Sequence, residues 1–366
     1  MKFDIYTSRY TPDTSTHTNR ISALVNELLK KKFKIKIYTN SNSDNSDNKN
    51  VEIKYYNYLS KKYTKYYFIK FIYEIFDILP FIKNILISKT NFSIIVIPNF
   101  SYIFLIPFLK LKKKKIIVDV MDLSWKYTNY IYPKFLTSSI EFISLKILKL
   151  ANFIIVTNSY EYEYFKNKKF KNIHILSNGY PDLFKNIKKK IHNNLPYKNT
   201  ITYLGNIGIA QNFDPLIFIA KNIKHININI YGDGSKKQTL MNLCLNIPNI
   251  NIFDSIKYNN LYKIYNNTDY LFLSLSNEFE SAIPSKLYEY LASEKKILCY
   301  SKKTSAIYKK FNNSYKDQLF IFTDHYDVLN FFKNKNIKKF TYNYDDLSIN
   351  NITTEFVIKF LNQIQK

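Results

Sequence analysis

Two α/β domains, each built on a parallel sheet, are what this sequence predicts, and three observations predict them. The chain has 366 residues, which at about 150 residues per domain points to two domains, each long enough to bury a core of its own. Short β-branched runs alternate with stretches of helical periodicity from end to end, the pattern of βαβ units covered on both faces. The two halves share that architecture without sharing sequence. The boundaries expected are a first domain at residues 1–170, a second at 171–345, and a closing helix at 346–366 that crosses back to the first domain.

The elements follow in order. Residues 3–7 form a short apolar strand. Ile21, Leu24, Val25, Leu28 and Leu29 then recur at helical spacing, and residues 34–40 alternate like a strand. Ile94–Ile97, Ile116–Val118 and Phe153–Val156 read as buried strands. In the second half the strands expected are Ile173–Leu176, Ile201–Leu204, Asn227–Tyr231, Ile250–Phe253, Tyr270–Ser274 and Ile297–Tyr300. Residues 41–50, SNSDNSDNKN, read as an exposed polar loop. The lysine-rich stretch 180–199, with Pro181 and Pro196, reads as the linker, and a terminal helix begins near residue 350.

Charge narrows the partners. Lys and Arg number 54 against 28 Asp and Glu, a net +26, and basic proteins seek phosphates on nucleotides, nucleic acid or anionic lipid. The bias toward Lys, Asn, Ile, Tyr and Phe runs through the whole chain, so solvated surface lysine is the other account of this charge. Residues 55–88 and 100–115 interleave lysine with aromatics, which suits a surface meeting anionic headgroups. The alternative is an ordinary helix pair packed on the sheet with its lysines outward. Cys244 and Cys299 lack metal-ligand spacing and form no disulfide framework, which suggests a reducing compartment. The chain enters its first strand without a signal-type apolar stretch, and no apolar run reaches the roughly 18 residues that a span requires. A cytoplasmic protein, peripheral at the inner face of the cytoplasmic membrane, is expected.

Glycine is scarce. At about 7% usage a chain of this length carries about 25; this one has five. Gly179, Gly205, Gly208, Gly232 and Gly234 all lie in the second half, each just after an expected strand. Gly205-Asn206-Ile207-Gly208 turns a strand into a helix, where glycine allows unusual backbone angles or close approach of a ligand and helix amides can hold a phosphate. A tight turn without a ligand explains the same spacing. Gly232-Asp233-Gly234 repeats the arrangement one βα unit later, with Asp233 orienting the loop, capping the helix or simply occupying a turn. The most informative segment is PSKLYEYLA, residues 284–292. Pro284 suits a helix start. Ser285 and Glu289 are four apart and Lys286 and Glu289 three apart, so all three share a face. A hydroxyl, an ammonium and free amides at Ser285, Lys286 and Leu287, with a carboxylate one turn on, match a nucleoside diphosphate. A capped surface helix with a Lys–Glu pair is the alternative.

Six segments in order resemble one family. These are residues 9–39, IIVDVMDLSW (116–125), ILSNGYPDLF (175–184), YLGNIG, YGDG and PSKLYEYLA. The chain is similar to retaining glycosyltransferases of family 4, of GT-B fold, with the flavour of the bacterial cell-surface polysaccharide enzymes that include the L-fucosamine transferase-like group. The resemblance implies two Rossmann-like domains with parallel sheets facing a cleft, a nucleotide-sugar donor on the second domain and an acceptor approaching from the first. It places Glu289 on the ribose as the second acid of an E-x7-E pattern, Gly205, Asn206, Gly208 and Gly234 near the diphosphate, and the backbone of Ile256 near the base. Ser281 stands where the first acid of that pattern falls, with Glu280 one residue early and Glu278 three early. No cation follows the glycine loop at 209–214, and Lys286 is expected to replace it. His17 and Arg20 are expected on the acceptor side, with His17 alternatively a solvated loop residue. Asp122 is the acid expected near the reacting centre, and Arg20 and Lys286 are expected to stabilise the leaving diphosphate. No cofactor and no essential metal are expected. The donor implied is UDP-linked, carrying an N-acetylated amino sugar, and the acceptor is a glycan or a polyprenyl-diphosphate lipid. Competing readings are a GT-B sugar-nucleotide epimerase, a catalytically weakened scaffold in polysaccharide assembly, and a charge-driven nucleic-acid binder, for which no recognition motif is present.

Overall fold

The computed structural model describes residues 1–11, 15–40, 51–56, 67–97, 100–127, 133–192, 199–333 and 340–364. The chain divides into two compact units, Met1–Asn178 with Ile349–Lys366, and Gly179–Ser348. The polar loop expected at 41–50, and residues 57–66 of the aromatic and lysine-rich segment, lie outside the described residues.

In the first unit the strands are β1 (Lys2–Thr7), β2 (Lys34–Thr39), β3 (Val51–Tyr55), β4 (Phe92–Ile97), β5 (Lys115–Val120), β6 (Phe153–Val156) and β7 (Ile173–Ile175). They lie in the order β3-β2-β1-β4-β5-β6-β7, with every pairing parallel. The order reverses between β1 and β4. Helices α1 (Thr16–Lys30), α2 (Tyr67–Ile87), α3 (Leu105–Leu111), α4 (Ser124–Tyr127), α5 (Lys134–Leu148) and α6 (Ser159–Asn167) connect the strands. Ser15 caps α1 by accepting from the Thr18 amide at 3.3 Å, the ordinary way a hydroxyl satisfies an orphan N–H. The last helix of the chain, Ile349–Ile364, packs against α1, with Phe356, Val357, Phe360 and Leu361 in the same core as Ile21, Leu24 and Val25. On the opposite face, α2, α3 and α5 share a core with Tyr6, Ile95 and Val118. A charge inside β1 is handled locally: buried Asp4 accepts from the Lys114 ammonium at 3.0 Å and from the Ser88 and Thr90 hydroxyls, as a buried carboxylate requires.

In the second unit, β8 (Thr200–Leu204), β9 (Asn227–Tyr231), β10 (Ile250–Phe253), β11 (Tyr270–Ser274), β12 (Lys296–Tyr300) and β13 (Leu319–Phe322) lie in the order β10-β9-β8-β11-β12-β13. All are parallel, and the order reverses between β8 and β11. The helices are α7 (Asp182–Lys188), α8 (Asp214–Asn222), α9 (Lys237–Cys244), α10 (Leu261–Asn266), α11 (Ser285–Ala292), α12 (Ala306–Phe311) and α13 (His325–Lys333); the terminal helix is α14. Cys299 is buried in β12 and Cys244 in α9, both as free thiols.

Three expectations change. The strand at 173–175 pairs with β6 and closes the first sheet instead of opening the second. The stretch expected to be a linker contains α7, because Phe184 and Ile187 find a core and Lys185 pairs with Asp182 at 2.8 Å. Finally, α2 turns Lys83 outward as an ordinary surface helix would, but sets it among apolar side chains. Its buried face carries Glu74, Asp77 and Asn84 beside Ile78 and Phe81, while Ile72, Phe76 and Leu79 face solvent.

Candidate functional site

In open parallel sheets, ligands bind outside the carboxyl ends of the strands where the strand order reverses. In the second unit that place is the end of β8 beside β11, and the loops expected to matter gather around it. The loop after β8 is zipped to the loop after β9: the Gly205 amide donates to Tyr231 O at 3.0 Å, Ile207 to Asp233 O at 2.8 Å, and Lys236 to Ile207 O at 2.9 Å. A Cβ on Gly232 would lie 1.8 Å from Gly205 O, and one on Gly234 2.3 Å from Ile207 O. These two glycines are therefore required by one loop's approach to the other. Gly208, buried, donates to the Gln211 amide oxygen at 3.1 Å, and the exposed Asn206 accepts from the Tyr203 hydroxyl at 2.7 Å through its carbonyl. Of the amides expected near a diphosphate, those of Gly205 and Ile207 donate to backbone carbonyls within the unit and that of Gly208 to the Gln211 side chain.

Asp233 orients its loop. It accepts from the Lys237 ammonium and the Ser255 amide, which hold its carboxyl at about 2. Ser255 precedes the half-buried Ile256 on the loop after β10.

Helix α11 carries the charged pair. Pro284, in extended conformation, precedes its first turn. Leu287, Tyr288, Tyr290 and Leu291 are buried, and the Tyr290 hydroxyl accepts from the Leu204 amide at 2.9 Å and lies 3.3 Å from its carbonyl. This bond fixes α11 against the end of β8. The Lys286 ammonium lies 2.7 Å from Glu289 Oε2, with Glu289 nearly buried and Lys286 half-buried. Lys286 and Glu289, expected on different parts of one ligand, are thus paired with each other. The buried hydroxyls of Tyr258 and Tyr265, without hydrogen-bond partners, have raised pKa values through burial first and the Glu289 charge second. Both were missed in the sequence. Ser281 is buried, and Glu280 accepts from the Thr304 hydroxyl at 2.8 Å.

The first unit gathers a second cluster, at the ends of β1, β5 and β6. Arg20 corrects the expectation placed on it. It is 1% exposed, its Nε and one terminal nitrogen donate to the two oxygens of Asp119 at 3.0 and 2.8 Å, and its other terminal nitrogen donates to Leu176 O. Its donors are committed inside the unit and do not face an acceptor phosphate. His17 is likewise buried in α1, not a solvated loop residue; Nε2 lies 2.7 Å from the Thr7 hydroxyl. The same hydroxyl lies 3.1 Å from Arg9 O. Burial, with Arg9 and Arg20 nearby, pushes the His17 pKa down to about 3. A neutral His17 supplies no charge to an acceptor phosphate.

Asp122 is exposed, and desolvation by the protein around it raises its pKa, with Arg20 opposing. Glu161, missed in the sequence, is fully buried. Its Oε2 accepts from the Thr157 amide at 2.7 Å and hydroxyl at 2.8 Å, and its Oε1 has no partner. Desolvation and then the Asp122 charge push it up to about 8. The sequence signal was Asn158-x-x-Glu161, a capping box after a strand; Asn158 does cap α6, accepting from the Glu161 amide at 3.1 Å. Among the described residues no three His, Cys, Asp or Glu side chains converge to hold a metal ion.

Glu161 makes stability depend on pH. The folded state holds its proton more tightly than the unfolded chain, so its contribution is fully present below about 4.5 and lost as pH rises through about 8. Above pH 8, Glu161→Gln is expected to be more stable than the wild type, by on the order of 2–4 kcal/mol, with the difference shrinking toward pH 5. Melting curves of both proteins across that range check it.

Neither a family model nor a curated protein matches this chain. Solved structures do. The sucrose-phosphate synthase of Thermosynechococcus elongatus superposes with a TM-score of 0.68 at 10% identity, covering 100% of this chain and 98% of that one. The fold is GT-B. Anabaena HepE, in complex with UDP, matches at 0.63 and 8% identity over 100% and 98%. The UDP-GlcNAc 2-epimerase of Methanocaldococcus jannaschii matches at 0.56 and 10% over 99% and 100%. Transferases and an epimerase thus both share this architecture, and the GT-B fold alone does not choose between them.

Proposed function

We propose that the chain is a retaining glycosyltransferase. It moves a sugar, an N-acetylated amino sugar in this reading, from a UDP-linked donor to a glycan or polyprenyl-diphosphate-linked acceptor in cell-surface polysaccharide synthesis. One observation carries the donor site: an ammonium and a carboxylate share the first turns of α11 at the strand-order reversal of the second sheet, tied to β8 through Tyr290. A diphosphate beside that helix start would draw Lys286 away from Glu289 and meet the amides near Ser285 and Leu287. Glu289 would then accept from the ribose hydroxyls, with the backbone at Ile256 toward the base. The Anabaena neighbour's complex with UDP supports the choice of nucleotide.

Bond breaking at the anomeric carbon builds negative charge on the leaving diphosphate, and fixed positive charge aimed at it is the main catalytic term. Lys286 takes that role; Arg20, committed to Asp119, does not. On the acceptor side Asp122 is the exposed acid, its carboxyl held above the ordinary carboxylate range. The reading uses no metal.

Calorimetric titration with UDP, GDP and an unrelated nucleotide tests it. Micromolar binding of UDP over the other two is expected. Binding of none would remove the donor site and leave the scaffold reading. The epimerase reading rests on the Methanocaldococcus neighbour. It predicts that a UDP-sugar incubated without acceptor changes configuration, whereas a transferase leaves it intact.

A further inference from the structure

Helix α2 is apolar on both sides, with Ile78, Phe81 and Ile85 buried in the core. Its acids, Glu74 and Asp77, and Asn84 are buried against the sheet, while the stripe at 72, 76, 79, 83 and 86 faces outward and carries Ile, Phe, Leu, Lys and Leu. Phe76 is 52% exposed. A surface helix in water keeps its outward face polar. Helix α5 on the same face repeats the feature, with Phe135 70% and Phe142 60% exposed, seven residues apart on one side. The two helices belong to one layer: α2 packs on α3 and α3 on α5, above a shared core.

The charge around this apolar surface has one sign. Lys83, Lys110, Lys134 and Lys146 are exposed, and the Lys146 ammonium lies 4.4 Å from the centre of the Phe142 ring. Among the described residues of α2, α3 and α5, the acids are buried Glu74 and Asp77, and Glu141, engaged by the Tyr164 hydroxyl at 2.8 Å and Lys168 at 3.5 Å. No described helix is long and apolar enough to cross a membrane. An apolar stripe flanked by lysines is the chemistry of a helix lying in the headgroup region. A second copy of the chain fits poorly, since it would bring lysine against lysine.

We propose that the outward face of α2 and α5 docks on an anionic lipid bilayer, with Phe76, Leu79, Phe135 and Phe142 entering the acyl boundary and the lysines meeting headgroup phosphates. The inference stands apart from the donor site and survives if the transferase reading fails.

Co-sedimentation of the full chain with vesicles tests it, using phosphatidylcholine alone and phosphatidylcholine mixed with phosphatidylglycerol, at physiological salt. Binding to the mixed vesicles is expected. The pairs Phe76→Ser with Leu79→Ser, and Phe135→Ser with Phe142→Ser, should each weaken it about tenfold or more, with melting temperatures unchanged because neither pair is in the core. Lys134→Glu with Lys146→Glu should weaken it comparably without altering any apolar contact. Three results would overturn the proposal: no vesicle binding, binding that salt abolishes but the serine variants leave intact, or a wild-type dimer that the serine variants convert to monomer.

Discussion

Replacing Glu289 by Ala is expected to weaken UDP binding by at least about 100-fold while leaving the second unit folded. Two ribose hydroxyls donating to one carboxylate are two charge-assisted hydrogen bonds, each worth about 1.5–3 kcal/mol, so their joint loss corresponds to roughly 10²–10⁴ in affinity. Glu289→Gln, which keeps the shape and one acceptor, should fall between. The structural role of the side chain is small. Its partner is Lys286 on its own helix, whereas α11 is anchored by buried Leu287, Tyr288 and Leu291 and by the Tyr290 bond to Leu204. Calorimetry gives the affinity and a thermal melt gives the fold. If the variant melts with the wild type and binds UDP equally well, Glu289 is only the Lys286 partner of a surface helix. A Lys286→Ala variant separates the two charges further. Loss of the ammonium should cost UDP affinity but spare binding of uridine, because it acts on the diphosphate alone.

Which parts of this architecture could be seen in one sequence follows from how locally each is encoded. Central strands such as Ile94–Ile97 and Ile116–Val118 are buried on both faces, so they appear as unbroken β-branched runs. The edge strands β3 and β13 went unnoticed for the converse reason: Val51–Tyr55 alternates with exposed residues and Leu319–Phe322 is mostly half-buried. The scarcity of glycine did report backbone constraint, but at Gly232 and Gly234 the close neighbour is the adjacent loop's carbonyl. Sequence spacing cannot tell that from a phosphate. The Lys286–Glu289 face was legible because helical spacing is local. The Asp122–Glu161 coupling was not, because it joins the ends of two different strands. The outward apolar stripe of α2 was hidden as well: its segment is apolar all round, and only packing decides which side faces out.

Arg20 is the residue whose sequence-based role changed most, and the expected consequence is large. Arg20→Met should destabilise the first unit by about 3–5 kcal/mol, the usual cost of leaving one member of a buried ion pair without the other. For a unit of this size that lowers the melting temperature by roughly 6–20 °C. Asp119 lies 1% exposed in the middle of the sheet, flanked by Val118 and Val120, where an unpaired carboxylate has no water to turn to. Asp119→Leu alone should be comparably harmful, since it orphans the guanidinium. The double variant Arg20→Met with Asp119→Leu should recover most of the loss, because apolar side chains of similar volume commonly replace a buried pair without penalty; the Leu176 carbonyl, left without its donor, costs about 1–3 kcal/mol of that recovery. Melting curves of the four proteins complete the cycle. A ligand-binding Arg20 predicts the reverse pattern: a single variant as stable as wild type, with the defect confined to acceptor binding and no rescue by the second substitution. A hint was present in IIVDVMDLSW, since a charge inside an apolar strand must be paired when buried. The sequence did not show where the partner came from, because Arg20 stands 99 positions away and reaches Asp119 only once α1 has packed across the sheet.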